Sequence, residues 1–475
     1  MNKILFYLLI SLPILALGQE NYCGTQLSEE EKAWLKDWQQ NEMQTSIARR
    51  SETIYVPLKI HIVGNDEGVG YLQLNTLLQD ICDLNEQFFE TGFHFYIYGD
   101  INYIDNSDFY QHDWIDGYYM MEENNVDDLV NMYFVDDPAG NCGYYSPSGN
   151  AMAIANSCAS VGNSTIAHEL GHFFSLPHTF VGWEGGEPSI SNQEQVDGDN
   201  CNTAADGFCD TPPDYAAYRW NCSGPPTFTD PDGTEFQPDG TFYMSYSNDA
   251  CTDKFSVEQQ GAMQANISGP RNELLDYPPL EVTDVDSTTL LEPEDNAEDI
   301  YSNYAMLKWA AVENAAAYQV SIALNIGFTA ISKSIYTTDT FALVTTLSAE
   351  KNYFWRVKVI GEGNTCEGYS DYMKFSTGAE TFTPTSIELD GKDNNILVFP
   401  IPMEQGNTFT IQFPNQGDKM WDLQIFDMTG SQVLYRTVNF SAGQVQTQMP
   451  NMPNGMYMLR LSSEGLTYTT PIQIQ

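Results

Sequence analysis

The stretch HELGHFFSLPH, residues 168–178, contains three histidines and a glutamate. On an α-helix, positions i and i+4 share a face, so His168 and His172 can present two imidazole nitrogens to one metal ion. Glu169 is turned about 100° around the helix axis from His168, so its carboxylate can approach a metal-bound water without being a ligand. His178 reaches the same ion only if the chain bends back, and Pro177 favours that break. The stretch therefore predicts a short helix, a sharp bend and a three-histidine metal site.

The residue types of this site indicate zinc-dependent hydrolysis. Three neutral imidazoles leave one open position on Zn²⁺, which is typical of catalytic zinc sites. Zinc acidifies a bound water to a pKa near ~7 and polarises the carbonyl under attack. Glu169 is then the general base that passes the water's proton to the leaving amine. Two alternatives stay open: a zinc peptidase with a downstream glutamate as third ligand, and a non-catalytic adhesin built on a protease fold.

The segments around this motif predict an α/β catalytic domain, with a twisted sheet and an active-site helix. IYVPLKIHIV from Ile54 and FHFYIYG read as strands on either side of a helix from Leu72 to Phe89. DLVNMYFV and the pieces flanking a Pro-Ser-Gly turn add further β-structure. The polar stretch that follows the helix, up to Gly240, is too long for a bare loop and needs ions or disulfides to hold it.

Two all-β sandwich domains are predicted to follow the catalytic domain. Short alternating strands run from about Met306 to Thr377, and a last all-β unit begins at Ile396. With Pro-rich and acidic linkers between the units, the expected organisation is signal peptide 1–19, pro-segment 20–50, metallopeptidase domain 51–277, β-domain 285–378 and C-terminal domain 393–475.

Composition and the N-terminus indicate export. Lys3 precedes an apolar run that ends at small residues around Ala16 and Gly18, which is typical of a secretory signal peptide, with an N-terminal anchor as the alternative. We expect no transmembrane segment in the mature chain. The 19 basic and 65 acidic residues give a net charge of −46, which argues against nucleic acid or anionic membrane as a partner.

Nine cysteines in an exported chain predict disulfides and leave at least one cysteine unpaired. Six of them lie in one region and are expected to form structural disulfides whose connectivity the spacing leaves open: Cys142, Cys158, Cys201, Cys209, Cys222 and Cys251. Cys82, in a helix-like stretch, is expected to be a buried free thiol.

The motif resembles that of the metzincin metallopeptidases, HExxHxxGxxH, in every position except Ser175. YMSYSNDAC resembles the Met-turn of that clan, and with CDTPPD the three segments resemble the pappalysin-type (cytophagalysin-like) family over roughly Ser51 to Leu275. The resemblance implies a secreted endopeptidase that hydrolyses proteins or peptides and is made as a zymogen. The family's glycine ends the helix in a left-handed conformation, so Ser175 is expected to be strained but functional.

The resemblance also assigns roles to individual residues. It implies that His168, His172 and His178 bind zinc and that Glu169 is the base. Met244 forms an apolar floor beneath the metal, and Tyr246 helps to stabilise the oxyanion. The resemblance further implies a disulfide between Cys222 and Cys251.

Two further sites rest on the resemblance as well. The family binds calcium in the region DGDNCNTAADGFCDTPPD, which offers oxygen donors from Asp197, Asp199, Asp206, Asp210 and Thr211. The expected Ca²⁺ ligands are Asp206, Asp210 and Thr211. The alternative is a solvated acidic loop that binds no ion. Family members carry a Cys-Gly whose thiolate occupies the fourth zinc position. Cys23 matches it, ahead of the dibasic Arg49-Arg50, although a disulfide is the competing interpretation.

The two β-units resemble known modules. Trp309, Tyr318, Tyr353 and Trp355 form a set similar to that of fibronectin type III domains. The last unit resembles the sorting domain of the Bacteroidetes type IX secretion system through Pro400, Pro402, Gly430, Gly455 and Tyr457, with a plain accessory β-sandwich as the alternative. The sorting-domain resemblance implies the secretion machinery as a partner and a secreted or cell-surface location.

Overall fold

The structure is a computed structural model that describes residues 21–43, 53–160, 162–184, 188, 192–277, 280, 282, 285–366 and 368–381, and the strands and short connections of the C-terminal region between 397 and 474. The predicted signal peptide, the Arg49-Arg50 pair and Pro400, Pro402 and Gly430 lie outside these residues. Within the described part, no helix combines the length and the apolar character needed to cross a membrane.

The chain divides into two compact units, one of residues 1–72 and 79–279 and the other of residues 73–78 and 280–475. The protein is a mixed α/β structure with several β-sheets. The helices between residues 21 and 277 are α1 (Glu29–Asn41), α2 (Leu74–Gln87), α3 (Ser107–Tyr110), α4 (Trp114–Asn124), α5 (Thr165–Phe173) and α6 (Val257–Ser268), with short 3₁₀ turns at Phe89–Thr91, Asn156–Cys158 and Asn272–Leu275.

The strands of the first unit are β1 (Asn21–Cys23), β2 (Ile54–Gly64), β3 (Phe93–Ile97), β4 (Asn102–Asp105), β5 (Gln111–His112), β6 (Val130–Val135), β7 (Asp137–Pro138), β8 (Asn141–Ser146), β9 (Ala151–Ala155), β10 (Phe228–Thr229) and β11 (Glu235–Phe236). Seven of them form one sheet in the order β1-β8-β9-β6-β2-β3, with β4 also paired to β2. All pairs in this sheet are parallel except β8 with β9. The expected strand, helix and strand between residues 54 and 97 are confirmed as β2, α2 and β3.

The central strands of this sheet are buried along their whole length. Every residue of β6 and of β9 is buried, as expected where helices cover both faces of a parallel sheet. The predicted N-terminal pro-segment supplies β1 at the sheet edge, where it pairs with β8. The motif-bearing helix α5 packs against β8 and β9, next to the edge strand β1.

In the second unit, a first group of strands forms two sheets: β12 (Leu290–Glu292), β13 (Ala297–Ile300), β14 (Ala305–Trp309), β15 (Ala315–Ala323), β16 (Ile331–Thr337), β17 (Phe341–Val344), β18 (Asn352–Gly361) and β19 (Met373–Thr377). The sheet orders are β12-β14-β17 and β13-β19-β18-β15-β16. Their shared core contains the four aromatic residues singled out from the sequence, Trp309, Tyr318, Tyr353 and Trp355.

A second group of strands has its own core: β20 (Leu397–Phe399), β21 (Thr408–Gln412), β22 (Lys419–Phe426), β23 (Gln432–Phe440), β24 (Gln444–Gln448), β25 (Gly455–Ser463) and β26 (Leu466–Ile474). They form sheets in the orders β20-β21-β24 and β23-β22-β25-β26. Trp421 and Tyr457 are buried in the core between them.

Three disulfides of the first unit join Cys142 to Cys158, Cys201 to Cys209 and Cys222 to Cys251. The last of these confirms the pair implied by the family resemblance. Cys82 is disulfide-bonded, so the prediction of a buried free thiol there is wrong. That prediction weighed only the local helical pattern, which carries no information on distant partners. Among the described cysteines, only Cys23 is free.

Candidate metal centre

The motif folds as a short helix followed by a sharp bend. Helix α5 ends at Phe173, and Ser175 has a φ of 68°, in the left-handed region. The N–H of Ser175 donates to the carbonyl of His172 at 2.8 Å, and the N–H of Leu176 donates to that of Gly171 at 2.9 Å. This is the Schellman arrangement that glycine usually provides, and here a serine adopts it. The predicted bend at Ser175 is confirmed.

The bend brings the three histidines together. The Nε2 atom of His172 lies 3.1 Å from the Nε2 of His168 and 3.1 Å from the Nε2 of His178. Two imidazoles on one tetrahedral zinc, with Zn–N of about 2.0–2.1 Å, place their nitrogens about 3.3 Å apart. All three side chains are buried. The structure therefore assembles the three predicted ligands at metal-binding spacing.

The hydrogen bonds of the histidines fix which nitrogen faces the centre. The Nδ1–H of His168 donates to the carbonyl of Tyr243 at 2.6 Å, and the Nδ1–H of His172 donates to that of Leu176 at 2.7 Å. Their Nε2 atoms therefore carry lone pairs that point at each other in a dry interior, which is unfavourable unless a cation lies between them. Burial lowers the pKa of His168 to about 4, and burial lowers those of His172 and His178 well below the usual histidine value. Neutral imidazoles are the metal-binding form, so the residues fit a metal ion.

Glu169 lies beside this cluster with one oxygen held and one oxygen free of protein partners. Its side chain is fully buried, and its Oε2 accepts a hydrogen bond of 2.7 Å from the hydroxyl of Thr25. Its Oε1 is buried and has no partner. Burial raises the pKa of Glu169 to about 7, against the lowering effect of the Thr25 hydrogen bond. A buried carboxyl with an open oxygen can accept a proton from a water at the centre.

Met244 packs against α5 at Gly171, the glycine of the HELGH sequence. A Cβ atom built on Gly171 would clash with the sulfur of Met244, so any larger residue here would displace the Met244 side chain. The buried carboxylate of Asp214 accepts from Ser245, which follows Met244, at 3.0 Å and from Thr179, which follows His178, at 2.8 Å. Asp214 therefore links the segment of Met244 and Ser245 to the segment that carries the third histidine, a link that the sequence did not indicate.

Tyr246 lies beside the histidines. Its ring centroid is 5.0 Å from that of His178 and 5.8 Å from that of His168. Its hydroxyl donates to the backbone carbonyl of Cys23 at 3.2 Å. A hydroxyl in this place can donate to an oxygen of a bound peptide.

The free thiol of Cys23 completes the cluster. Its sulfur and the nitrogens of the three histidines all lie within 4.8 Å of one another. The parallel pairing of β1 with β8 sets this position, with Cys23 opposite Gly143. A Cβ on Gly24 would lie 2.6 Å from the ring of Trp114 and 2.9 Å from the side chain of Asn141, so a larger residue after the cysteine would displace these side chains. The sequence-predicted Cys-Gly therefore lies at the metal centre.

The predicted calcium ligands are only partly brought together. Both carboxylate oxygens of buried Asp206 accept from the hydroxyl of Thr211, at 3.1 Å each. Asp210 is exposed, and its carboxylate accepts from the N–H of Glu258 near the start of α6. Burial raises the pKa of Glu194 to about 9, with the charges of Asp206 and Asp214 as further causes, and its Oε2 is buried without a partner.

The end of α5 is held by residues that the motif search did not find. Buried Arg271 donates from Nε to the carbonyl of Phe173 at 2.7 Å and from Nη2 to the hydroxyl of Tyr145 at 2.7 Å. A cation is favourable at a helix C-terminus. Asn266 donates to the hydroxyl of Ser175 at 2.9 Å. Both residues lie near the end of α6, which nothing in the short motifs placed next to α5.

Comparisons with known proteins agree with the geometry of the centre. Residues 144–268 match the peptidase family described as pregnancy-associated plasma protein-A. Similar proteins include an extracellular metalloprotease of Colletotrichum graminicola, 27% identical over 238 residues that cover 44% of this chain and 75% of that protein. Another is an extracellular metalloprotease of Arthroderma gypseum, 26% identical over 269 residues that cover 52% of this chain and 84% of that protein. The resemblance to pappalysin-type metallopeptidases is confirmed, and the family implies a metal in the site.

The C-terminal part also matches a known domain. Residues 397–475 match the secretion system C-terminal sorting domain, which makes this a secreted or cell-surface protein. A solved structure named FN3tt covers 20% of this chain and 95% of its own, at 15% identity and a TM-score of 0.16. That TM-score is too low to carry an argument about the fold.

Proposed function

We propose that this chain is a secreted zinc metalloendopeptidase of the metzincin clan, pappalysin-like, which is made as a zymogen. The observation that carries the proposal is the convergence of three neutral, buried imidazoles beside a buried glutamate that has one open oxygen. Structural zinc sites are closed by four protein ligands, whereas here, among the residues that the structure describes, the fourth protein ligand is Cys23 of the predicted pro-segment. Removal of that segment leaves the open position that hydrolysis needs.

The proposed mechanism assigns one task to each residue of this chain. His168, His172 and His178 hold Zn²⁺, which when bound supplies a Lewis acid for acidifying water and polarising a carbonyl. Glu169 accepts a proton from the attacking water and passes it to the leaving amine. Tyr246 donates its hydroxyl hydrogen to the oxygen that gains negative charge.

In the zymogen, the segment from Cys23 to Thr25 contacts each of these groups and so keeps a substrate away from them. The Cys23 sulfur faces the three histidines, its carbonyl accepts from Tyr246, and the Thr25 hydroxyl donates to Glu169. Burial raises the pKa of the Cys23 thiol well above its usual value, so a nearby cation is needed to keep it as a thiolate. Thr25 is an additional block on the base that the sequence pattern did not indicate.

The substrate is proposed to be a protein or peptide. A cavity of about 680 Å³ opens beside His172 and His178 and is bounded on its other side by pro-segment residues such as Leu35 and Lys36. Release of α1 would open this cavity to a peptide substrate. The C-terminal domain is proposed to engage the type IX secretion machinery.

Calcium binding is proposed at Asp206 and Thr211, with Asp210 as the third ligand predicted from the sequence. Glu194 adds support, because it has a buried carboxylate oxygen without a partner and lies close enough to Asp206 for that charge to raise its pKa. Carboxylates held together in this way are stabilised by a hard divalent cation.

The replacement of Glu169 by Ala tests the proposed function. The Glu169→Ala protein, activated with a trypsin-like protease, should bind one zinc and fail to hydrolyse a protein substrate, because all three ligands remain while the base is lost. Glu235→Ala, at an exposed carboxylate, is the matched control and should keep full activity. Wild-type turnover by Glu169→Ala would refute the mechanism, and zinc-loaded, activated wild-type protein without hydrolysis would favour the adhesin alternative.

A further inference from the structure

Tyr22, the residue before Cys23, fills a pocket at the edge of the metal centre. Its side chain is buried, with its ring centroid 5.1 Å from that of His168 and 5.3 Å from that of Tyr246. The guanidinium carbon of Arg219 lies 3.7 Å above the same ring. Because the neighbouring Cys23 sulfur faces the three histidines, this pocket lies one residue away from the place where a peptide bond would be cleaved.

The hydrogen bonds of the pocket favour a side chain whose hydroxyl group can donate a hydrogen bond to Ser164. The hydroxyl of Tyr22 lies 3.2 Å from that of Ser164. Ser164 donates its own hydrogen to the carboxylate of Asp249 at 2.7 Å, so it can only accept from Tyr22. A tyrosine fits this arrangement, whereas a phenylalanine leaves the Ser164 oxygen without a donor.

The charges of the pocket disfavour other classes of side chain. Arg219 forms an ion pair of 2.6 Å with Asp249 and also donates to the carbonyl of Ser247, so its charge is balanced while its flat face stays available. A lysine or arginine would place a second cation against Arg219, and an acidic side chain would meet Asp249, which is already paired. An aromatic ring instead combines burial of apolar surface with cation–π attraction.

We propose that the Tyr22 pocket, formed by Ser164, Arg219, Tyr246 and Asp249, is the specificity subsite of the active enzyme for an aromatic residue next to the scissile bond, with tyrosine preferred over phenylalanine. The inference rests on the proposed peptidase function and names its substrate class. In the zymogen Tyr22 occupies the subsite, and in the activated protein a substrate side chain takes its place.

A peptide library tests the subsite through activity. The activated protein is given peptides in which Tyr, Phe, Ala, Lys and Asp are varied at each of the two positions flanking the cleaved bond. We expect Tyr and Phe to be preferred over Ala, Lys and Asp at one of these positions, with kcat/KM for Tyr about 2- to 10-fold above that for Phe, the value of one neutral hydrogen bond. Ser164→Ala should reduce the Tyr-to-Phe ratio to near one. Cleavage with no aromatic preference at either position, or an unchanged ratio in Ser164→Ala, would overturn the proposal.

A binding measurement separates this inference from the proposed function. Calorimetry on the activated, zinc-loaded Glu169→Ala protein compares the peptides NYCGTQ, NFCGTQ and NACGTQ. The first should bind about 10- to 100-fold more tightly than the third, as expected for burial of one aromatic side chain. Equal affinities would refute the pocket. If no peptide is cleaved by the wild type but this order of affinities holds, the peptidase function fails while the subsite stands.

Discussion

Replacement of Ser175 separates the two opposing effects of this residue on stability. Its φ of 68° costs a non-glycine residue about 1–2 kcal/mol. Its hydroxyl accepts a buried hydrogen bond from Asn266, which contributes about 0.5–1.5 kcal/mol. Ser175→Ala keeps the strain and loses the hydrogen bond, so it should lower the free energy of unfolding by about 0.5–1.5 kcal/mol. Ser175→Gly loses the hydrogen bond but relieves the strain, so it should stay within about 1 kcal/mol of the wild type.

The assay is thermal denaturation of the three zinc-loaded proteins, with zinc content and activity measured in parallel. Structural zinc binding is worth on the order of 10 kcal/mol, so neither variant should lose zinc. The reasoning is refuted if Ser175→Ala is as stable as the wild type, or if Ser175→Gly is the less stable of the two variants. Loss of zinc from Ser175→Gly would show that the serine side chain, and not the bend, holds His178 in place.

Three further predictions concern stability. Arg271→Ala should lower the free energy of unfolding by about 2–4 kcal/mol in the same denaturation assay, because it removes a buried charge that caps α5 and hydrogen-bonds Tyr145. Arg271→Lys should lose less stability than Arg271→Ala, because the lysine keeps the positive charge. Adding calcium to calcium-free, zinc-supplied protein should raise the melting temperature. At a calcium concentration a hundred times the dissociation constant, the free energy of unfolding should rise by about 2.7 kcal/mol. An unchanged melting curve would exclude Asp206, Asp210 and Thr211 as ligands. Burial raises the pKa of Asp80 from 3.8 to about 7, so its ionisation opposes folding and stability falls as pH rises through this range; Asp80→Asn should therefore stabilise the protein more at pH 8 than at pH 5, and equal gains at both pH values would contradict this sign.

The metal centre was predictable because the residues that form it lie close together in the sequence. The spacing of His168, His172 and His178 fixes a helix and a bend within a few residues, so the chain has few ways to satisfy that pattern. Ser175 shows the limit of a motif comparison, since a departure from glycine did not change the backbone conformation. The strands and helix between Ile54 and Ile97 were likewise set by local hydrophobic periodicity.

The supporting contacts were not predictable, because they join residues far apart in the chain. Thr25 meets Glu169 across 144 positions, and Arg271 meets Phe173 across 98. A polar side chain in the sequence gives no sign of which distant group it will satisfy after burial. The disulfide partner of Cys82 could not be predicted for the same reason, and local helix periodicity led to the wrong prediction of a free thiol.

We propose that three histidines hold a zinc ion whose fourth position changes from a protein sulfur to an open site. X-ray absorption at the zinc edge tests it most directly, on the intact precursor and on the activated protein. For the precursor we expect three nitrogen ligands at about 2.0–2.1 Å and one sulfur at about 2.3 Å, and for the activated protein the same nitrogens with an oxygen in place of the sulfur. A precursor without zinc–sulfur scattering, or with Cys23 in a disulfide, would contradict the zymogen arrangement. A zinc shell with fewer than three imidazoles would contradict the catalytic centre itself.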